Sequence, residues 1–107
     1  MAQFDVFRNP GQTKVAIPFV VAVQSAVHDA HGRCVAVPLV RKDDRDVPVY
    51  ARRMNPGFIV AGVSVVLHPL DIATLPMEKL GPLVASLASC GDDIIAALDE
   101  VFTRAYG

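Results

Sequence analysis

Apolar residues take the odd positions Val15, Ile17, Phe19, Val21 and Val23, the two-residue period of a strand with one buried face. The even positions Ala16, Pro18, Val20 and Ala22 are apolar as well. This strand is therefore expected to be covered on both sides, as a dimer interface or a closed barrel would require. Pro18 cannot donate to a ladder and belongs at an unpaired or bulged position. Beyond Gln24 and Ser25 the chain is polar at His28, Asp29 and His31, reaches Gly32, and turns apolar again at Val35, Val37 and Leu39. That pattern predicts a hairpin over residues 23–39, with Gly32 supplying the positive φ of the reversal.

The remaining segments read more briefly. Residues 3–8 predict a strand that ends at the turn Asn9-Pro10-Gly11. The mixed-charge stretch 41–46 reads as a solvated loop, and 47–53 as a further strand closed by Asn55-Pro56-Gly57. Residues 58–67 are rich in β-branched side chains and contain Gly62, which predicts a strand pair or one bulged strand. Residues 70–76 predict a strand-and-turn element. In 77–89, Leu80, Leu83, Val84 and Leu87 fit a helical face, but Gly81-Pro82 interrupts it; extended or irregular structure is expected there. The end of the chain is a helix by its spacing: Ile94, Ile95, Leu98, Val101, Phe102 and Ala105 form one apolar stripe. Asp92 or Asp93 is expected to cap it, and Glu100 and Arg104 lie one turn apart in the favourable order.

Composition narrows the function. A chain of 107 residues predicts one domain, residues 1–107. Its 52% hydrophobic content against 20% charged, with mean hydropathy +0.39, exceeds what one small core absorbs, so a homodimer is expected. Every apolar run breaks within about a dozen residues, well short of the roughly 20 that cross a bilayer. Met1-Ala-Gln-Phe-Asp lacks the basic and apolar regions of a secretory signal, which points to the cytoplasm. A net charge of −1 argues against direct nucleic-acid binding.

Catalytic and metal chemistry find little footing. His28-x-x-His31-x-x-Cys34, with His68 and Cys90 as additions, is the most metal-like set, but a hairpin does not make these side chains converge, and a structural zinc site needs four compactly spaced ligands. Two turn histidines and a buried strand cysteine explain it better. A bridge between Cys34 and Cys90 stays open at this point. Ser25, Ser64, Ser86 and Ser89 stand in no nucleophile elbow, and there is no phosphate loop of Walker type. No enzyme activity, metal or cofactor is expected, which leaves binding.

Four segments in order resemble the CcdB family of plasmid-type toxins. They are Gln3-Phe4-Asp5-Val6-Phe7; Val23-Gln24-Ser25 with Asp29-x-x-Gly32-Arg33 and Val37-Pro38-Leu39; Leu70-Asp-Ile-Ala-Thr-Leu-Pro76; and Asp93-Ile94 with 97–102. The resemblance implies a mainly β fold, an SH3-like barrel of antiparallel strands with a C-terminal α-helix, and a homodimer. It implies a toxin of a type II toxin–antitoxin system that binds the DNA gyrase A subunit and traps the cleaved-DNA complex. It also implies a cognate, CcdA-like antitoxin whose disordered tail competes for an overlapping surface. The matching contact positions are Val27 and His28 beside the hairpin turn, then Asp99, Phe102, Thr103, Arg104 and Ala105, with Tyr106 and Gly107 completing the tail.

Here the chain departs from the family pattern. The family tail runs Phe-Trp-Gly-Ile, whereas this one reads Phe102-Thr103-Arg104-Ala105-Tyr106-Gly107, and the chain has no tryptophan. Large aromatics anchor interfaces, so the change bears on the target pocket. Tyr106 stands as the candidate substitute, against a reading in which Phe102 is core and Tyr106 frays. The rival function is a CcdB-like antitoxin-binding protein that has lost gyrase poisoning or acts on another target.

Overall fold

A computed structural model describes residues 1–11, 15–42 and 53–103. The strands are β1 (Asp5–Arg8), β2 (Phe19–Ala22), β3 (Arg33–Arg41), β4 (Gly57–Val60), β5 (Val63–Leu67), β6 (Ala73–Pro76) and β7 (Leu83–Ser86), and the helix α1 (Gly91–Phe102) comes last. All strand pairs are antiparallel, in one seven-stranded sheet ordered β4-β5-β3-β2-β1-β7, with β6 also paired to β3. The SH3-like barrel expected from the sequence is thus a curled half-barrel with a C-terminal helix.

The long strand β3 organises the sheet. Arg33–Ala36 pair with β6 and Leu39–Arg41 with β5, while β2 covers the opposite edge along Ala36–Leu39. Pro38 sits where β3 passes from one neighbour to the other, so its missing N–H breaks no ladder. Its carbonyl still accepts from the His68 N–H at 3.1 Å. Because β2 lies inside the sheet and side chains alternate, its two faces feed two cores. Phe19 and Val21 join Val6, Val37, Leu39, Val65 and Leu67 beneath α1, where Ile94 and Ala97 close the cluster. Val20 and Ala22 join Cys34 and Ala36 on the other face, with Met1, Phe7, Leu75, Met77 and Leu80 packed around them. The double coverage predicted for β2 is therefore met within one chain.

Several sequence expectations are corrected in detail. The strand expected from Val15 is confined to Phe19–Ala22; Val15 is 75% exposed, because Asn9 takes the backbone ahead of β2 out of the ladder. The Asn9 N–H donates to the Pro18 carbonyl and its Nδ2 to that of Ile17. The β2–β3 reversal is not a tight turn but a six-residue 3-10 helix, Ala26–His31, capped by Ser25 and ended by Gly32 at φ 72°. Phe58–Leu67 resolves into the strand pair, joined through Ala61 and Gly62, both at positive φ as a type I′ turn requires. Residues 70–76 begin with the 3-10 turn Pro69–Asp71 and end as β6. The strand expected over 47–53 falls almost wholly outside the described residues.

The segment around Gly81-Pro82 is extended, as expected, but it leads into a strand that the sequence did not disclose. β7 pairs with β1, and Arg8 N–H donates to the Pro82 carbonyl at 3.0 Å. Gly81 makes that approach possible, since a Cβ there would lie 2.5 Å from the Arg8 carbonyl oxygen. The Gly81→Ala variant is expected to lose about 1–3 kcal/mol by forcing the backbone of β1 and β7 apart, measured as a lower denaturant midpoint at unchanged slope.

Candidate functional site

The helix α1 starts at Gly91, where any side chain would press on the ring of Phe4. A Cβ would fall 2.7 Å from Cε2 of Phe4, whose ring is buried and whose backbone holds a left-handed φ of 71°. Two backbone hydrogen bonds fix Phe4 in that conformation: its N–H donates to the Ala22 carbonyl at 2.6 Å, and its carbonyl accepts from Leu87 N–H at 2.9 Å. Such a residue persists only where its surroundings over-determine it. Phe4 thereby sets where the helix leaves the sheet. The first helical turn carries Asp92 and Asp93, which favour its positive end, but the cap position belongs to Cys90 and makes no side-chain cap bond. The sequence expectation of an aspartate cap is corrected to that extent.

Burial divides the predicted apolar stripe. Gly91, Ile94 and Ala97 are buried and Leu98 packs on the core, whereas Ile95 and Phe102 are exposed, Phe102 at 60%. Ile95, Asp99 and Phe102 fall at i, i+4 and i+7, so they share one outward face of α1. The reading that placed Phe102 in the core is overturned. Thr103 ends the helix: both its N–H and its Oγ1 donate to the Asp99 carbonyl, at 3.0 and 3.1 Å. Of the contact positions carried over from the family, Asp99, Phe102 and Thr103 are thus adjacent and exposed. Arg104, Ala105, Tyr106 and Gly107, and with them the expected Glu100–Arg104 pair, lie outside the described residues.

Val27 and His28 belong to a different part of the fold. They project from the 3-10 turn Ala26–His31, where no residue is buried and Val27 is 79% exposed. That turn is tied to the second core, since the Met1 ammonium pairs with Asp29 Oδ2 at 3.1 Å and Met1 packs against the Val20–Cys34 cluster. The helix face instead rests on the first core. The described positions carried over from the family therefore stand on two separate supports.

Residues that the sequence did not single out also shape the helix end. Arg53 Nε lies 2.7 Å from Glu100 Oε1, a contact between distant parts of the chain that no local spacing announces. Ile95 was legible as an apolar position, though not as an exposed one.

The metal-like set does not assemble. The rings of His28 and His31 stand 6.2 Å apart on the exposed turn, Cys34 is fully buried, and His68 Nδ1 is 3.0 Å from Asp71 Oδ2. Among the described residues no three His, Cys, Asp or Glu side chains are placed to hold a metal ion. Both cysteines are free. Burial pushes the Cys34 thiol above its usual range, and the nearby Asp29 carboxylate adds to the effect. Cys90, partly exposed, is expected to be alkylated in the native protein while Cys34 reacts only on unfolding, as mass spectrometry of the modified peptides would show. Because the unfolded chain gives up this thiol proton at lower pH than the folded one, stability is expected to fall as pH rises above the ordinary thiol range.

No described helix is long and apolar enough to cross a membrane. A comparison with curated proteins finds no match. The family model described as CcdB protein matches residues 3–104, spanning β1 through α1. The chain belongs to the CcdB family.

Proposed function

We propose that this protein is the toxin of a type II toxin–antitoxin pair. As a homodimer in the cytoplasm it binds the A subunit of DNA gyrase and traps the cleaved-DNA complex, and a cognate CcdA-like antitoxin neutralises it by covering an overlapping surface. It acts by binding, not by catalysis, and needs no cofactor. The observation that carries this reading is the exposure of Phe102 on the last turn of α1, beside Asp99 and on the same face as Ile95. An aromatic ring exposed at the end of an ordered helix offers a large apolar group for a partner to bury. Val27 offers a second apolar tip, on the turn where the family resemblance places contacts.

One observation favours a second reading, in which the scaffold binds an antitoxin but no longer poisons gyrase. The residue after Phe102, tryptophan in the family tail, is Thr103, and its hydroxyl turns back onto the Asp99 carbonyl rather than outward. Titration calorimetry separates the two. Binding of a gyrase A fragment, competed by the antitoxin tail, supports the toxin; antitoxin binding with no gyrase signal supports the second reading.

A further inference from the structure

The last turn of α1 has a support of its own. Burial anchors the helix through Gly91, Ile94 and Ala97, but from Asp99 to Thr103 no residue is buried. This is the turn that presents Asp99, Phe102 and Thr103. It also carries two adjacent carboxylates, Asp99 and Glu100, at the end of the helix where the dipole is negative, an arrangement that destabilises a terminal turn. Within Gly91–Phe102 the last turn has no basic residue to offset them.

A cation reaches this turn from elsewhere in the fold. Arg53 reaches Glu100 at 2.7 Å, and Glu100 is the more sheltered partner, its side chain 21% exposed against 59% for Arg53. Two residues on, Asn55 is buried and donates from Nδ2 to the Leu67 carbonyl at 3.0 Å, while Leu67 N–H donates to the Pro56 carbonyl at 3.0 Å. The backbone beside Arg53 is therefore fastened to β5. Closer to the helix start, Arg53, Pro56 and Gly57 line an open cleft together with Asp93 and Ala96.

We propose that Arg53 is a positioning residue for target recognition: through Glu100 it holds the last turn of α1, and with it Phe102, in the geometry that the target meets. The proposal deepens the function proposed above and rests on it for the identity of the target, but not for the coupling between Arg53 and the helix end. Arg53 acts on the turn by charge, so its effect is screened by salt, unlike that of the apolar contacts at Ile94 and Ala97.

The test compares the wild-type chain, Arg53→Met, which keeps the aliphatic stem, and the exchanged pair Arg53→Glu with Glu100→Arg. Amide hydrogen exchange reads the helix end directly, including the Thr103 N–H bonded to Asp99, and titration with a gyrase A fragment reads recognition. In Arg53→Met the amides of 99–103 are expected to exchange about three-fold faster at low salt and the fragment to bind about three-fold more weakly, the scale of a partly exposed ion pair. The Ile94–Ala97 amides should be unchanged, and the exchanged pair should restore both readings. Wild-type exchange at 99–103 in Arg53→Met, or failure of the exchanged pair to restore it, overturns the proposal. If exchange follows the expected pattern but no variant binds the fragment, the positioning role stands and the gyrase reading falls.

Discussion

Phe102→Ala is expected to leave the melting temperature within a few degrees of wild type and to weaken binding to the gyrase A fragment by about thirty-fold or more, the loss that marks an interface anchor. The two halves of this expectation come from one fact. The ring is 60% exposed, so truncating it opens no cavity and removes little buried area. It stands on the turn carrying Asp99 and Thr103, so the same truncation removes the largest apolar group that turn presents. Equal loss of stability and binding would place Phe102 in the core after all. Calorimetric melting together with titration of the fragment separates these outcomes.

Ile94→Ala is expected to do the reverse. Ile94 is fully buried and belongs to the first core with Phe4, Val6 and the β3 and β5 side chains. Truncating it removes the transfer energy of the lost methyl and methylene groups and leaves a cavity, about 2–5 kcal/mol in total. For a domain whose total stability is on the order of 5–15 kcal/mol, that is a large share. Denaturant unfolding should show a lower midpoint at unchanged slope. At temperatures where the variant stays folded, its affinity for the fragment should be close to wild type, because Ile94 is buried and presents nothing to a partner at the exposed Asp99 and Phe102.

The contrast between buried Ile94 and exposed Phe102 on one helix marks how much of the fold was legible in the sequence. Period alone located α1 and β2, and the run of apolar residues on both faces of β2 foretold two covered sides, realised as two cores. Period could not say which apolar residues of α1 face water. Ile95 and Phe102 look like Ile94 and Leu98 until the direction of the sheet is known. β7 was hidden for a similar reason: Gly81-Pro82 broke every pattern, and the pairing that makes 83–86 a strand is supplied by β1, far away in sequence. The 3-10 turn Ala26–His31 was read as a simple reversal because its polar residues and Gly32 suit both. Ser25 decides between them by accepting from Val27 N–H at the start of the turn.

For the candidate site, the residue-by-residue resemblance reached Val27, His28, Asp99, Phe102 and Thr103, and the structure exposes all five. It did not reach Arg53, since an ion pair between residues 53 and 100 leaves no trace in local spacing. Nor did it show that Val27 and Phe102 stand on separate cores, which bears on how a target engages them. The departure at Thr103 was visible in the sequence; its physical consequence, a hydroxyl folded back onto the helix, was not.

The most direct test of the account is the accumulation of cleaved DNA when purified protein is added to gyrase, supercoiled plasmid and ATP. The wild-type chain is expected to produce linear, protein-linked DNA in a dose-dependent way, with the product lost on Phe102→Ala and on addition of the antitoxin. Binding to the antitoxin with no cleaved DNA at any dose would contradict the gyrase-poisoning claim and leave a CcdB-family scaffold that serves another target.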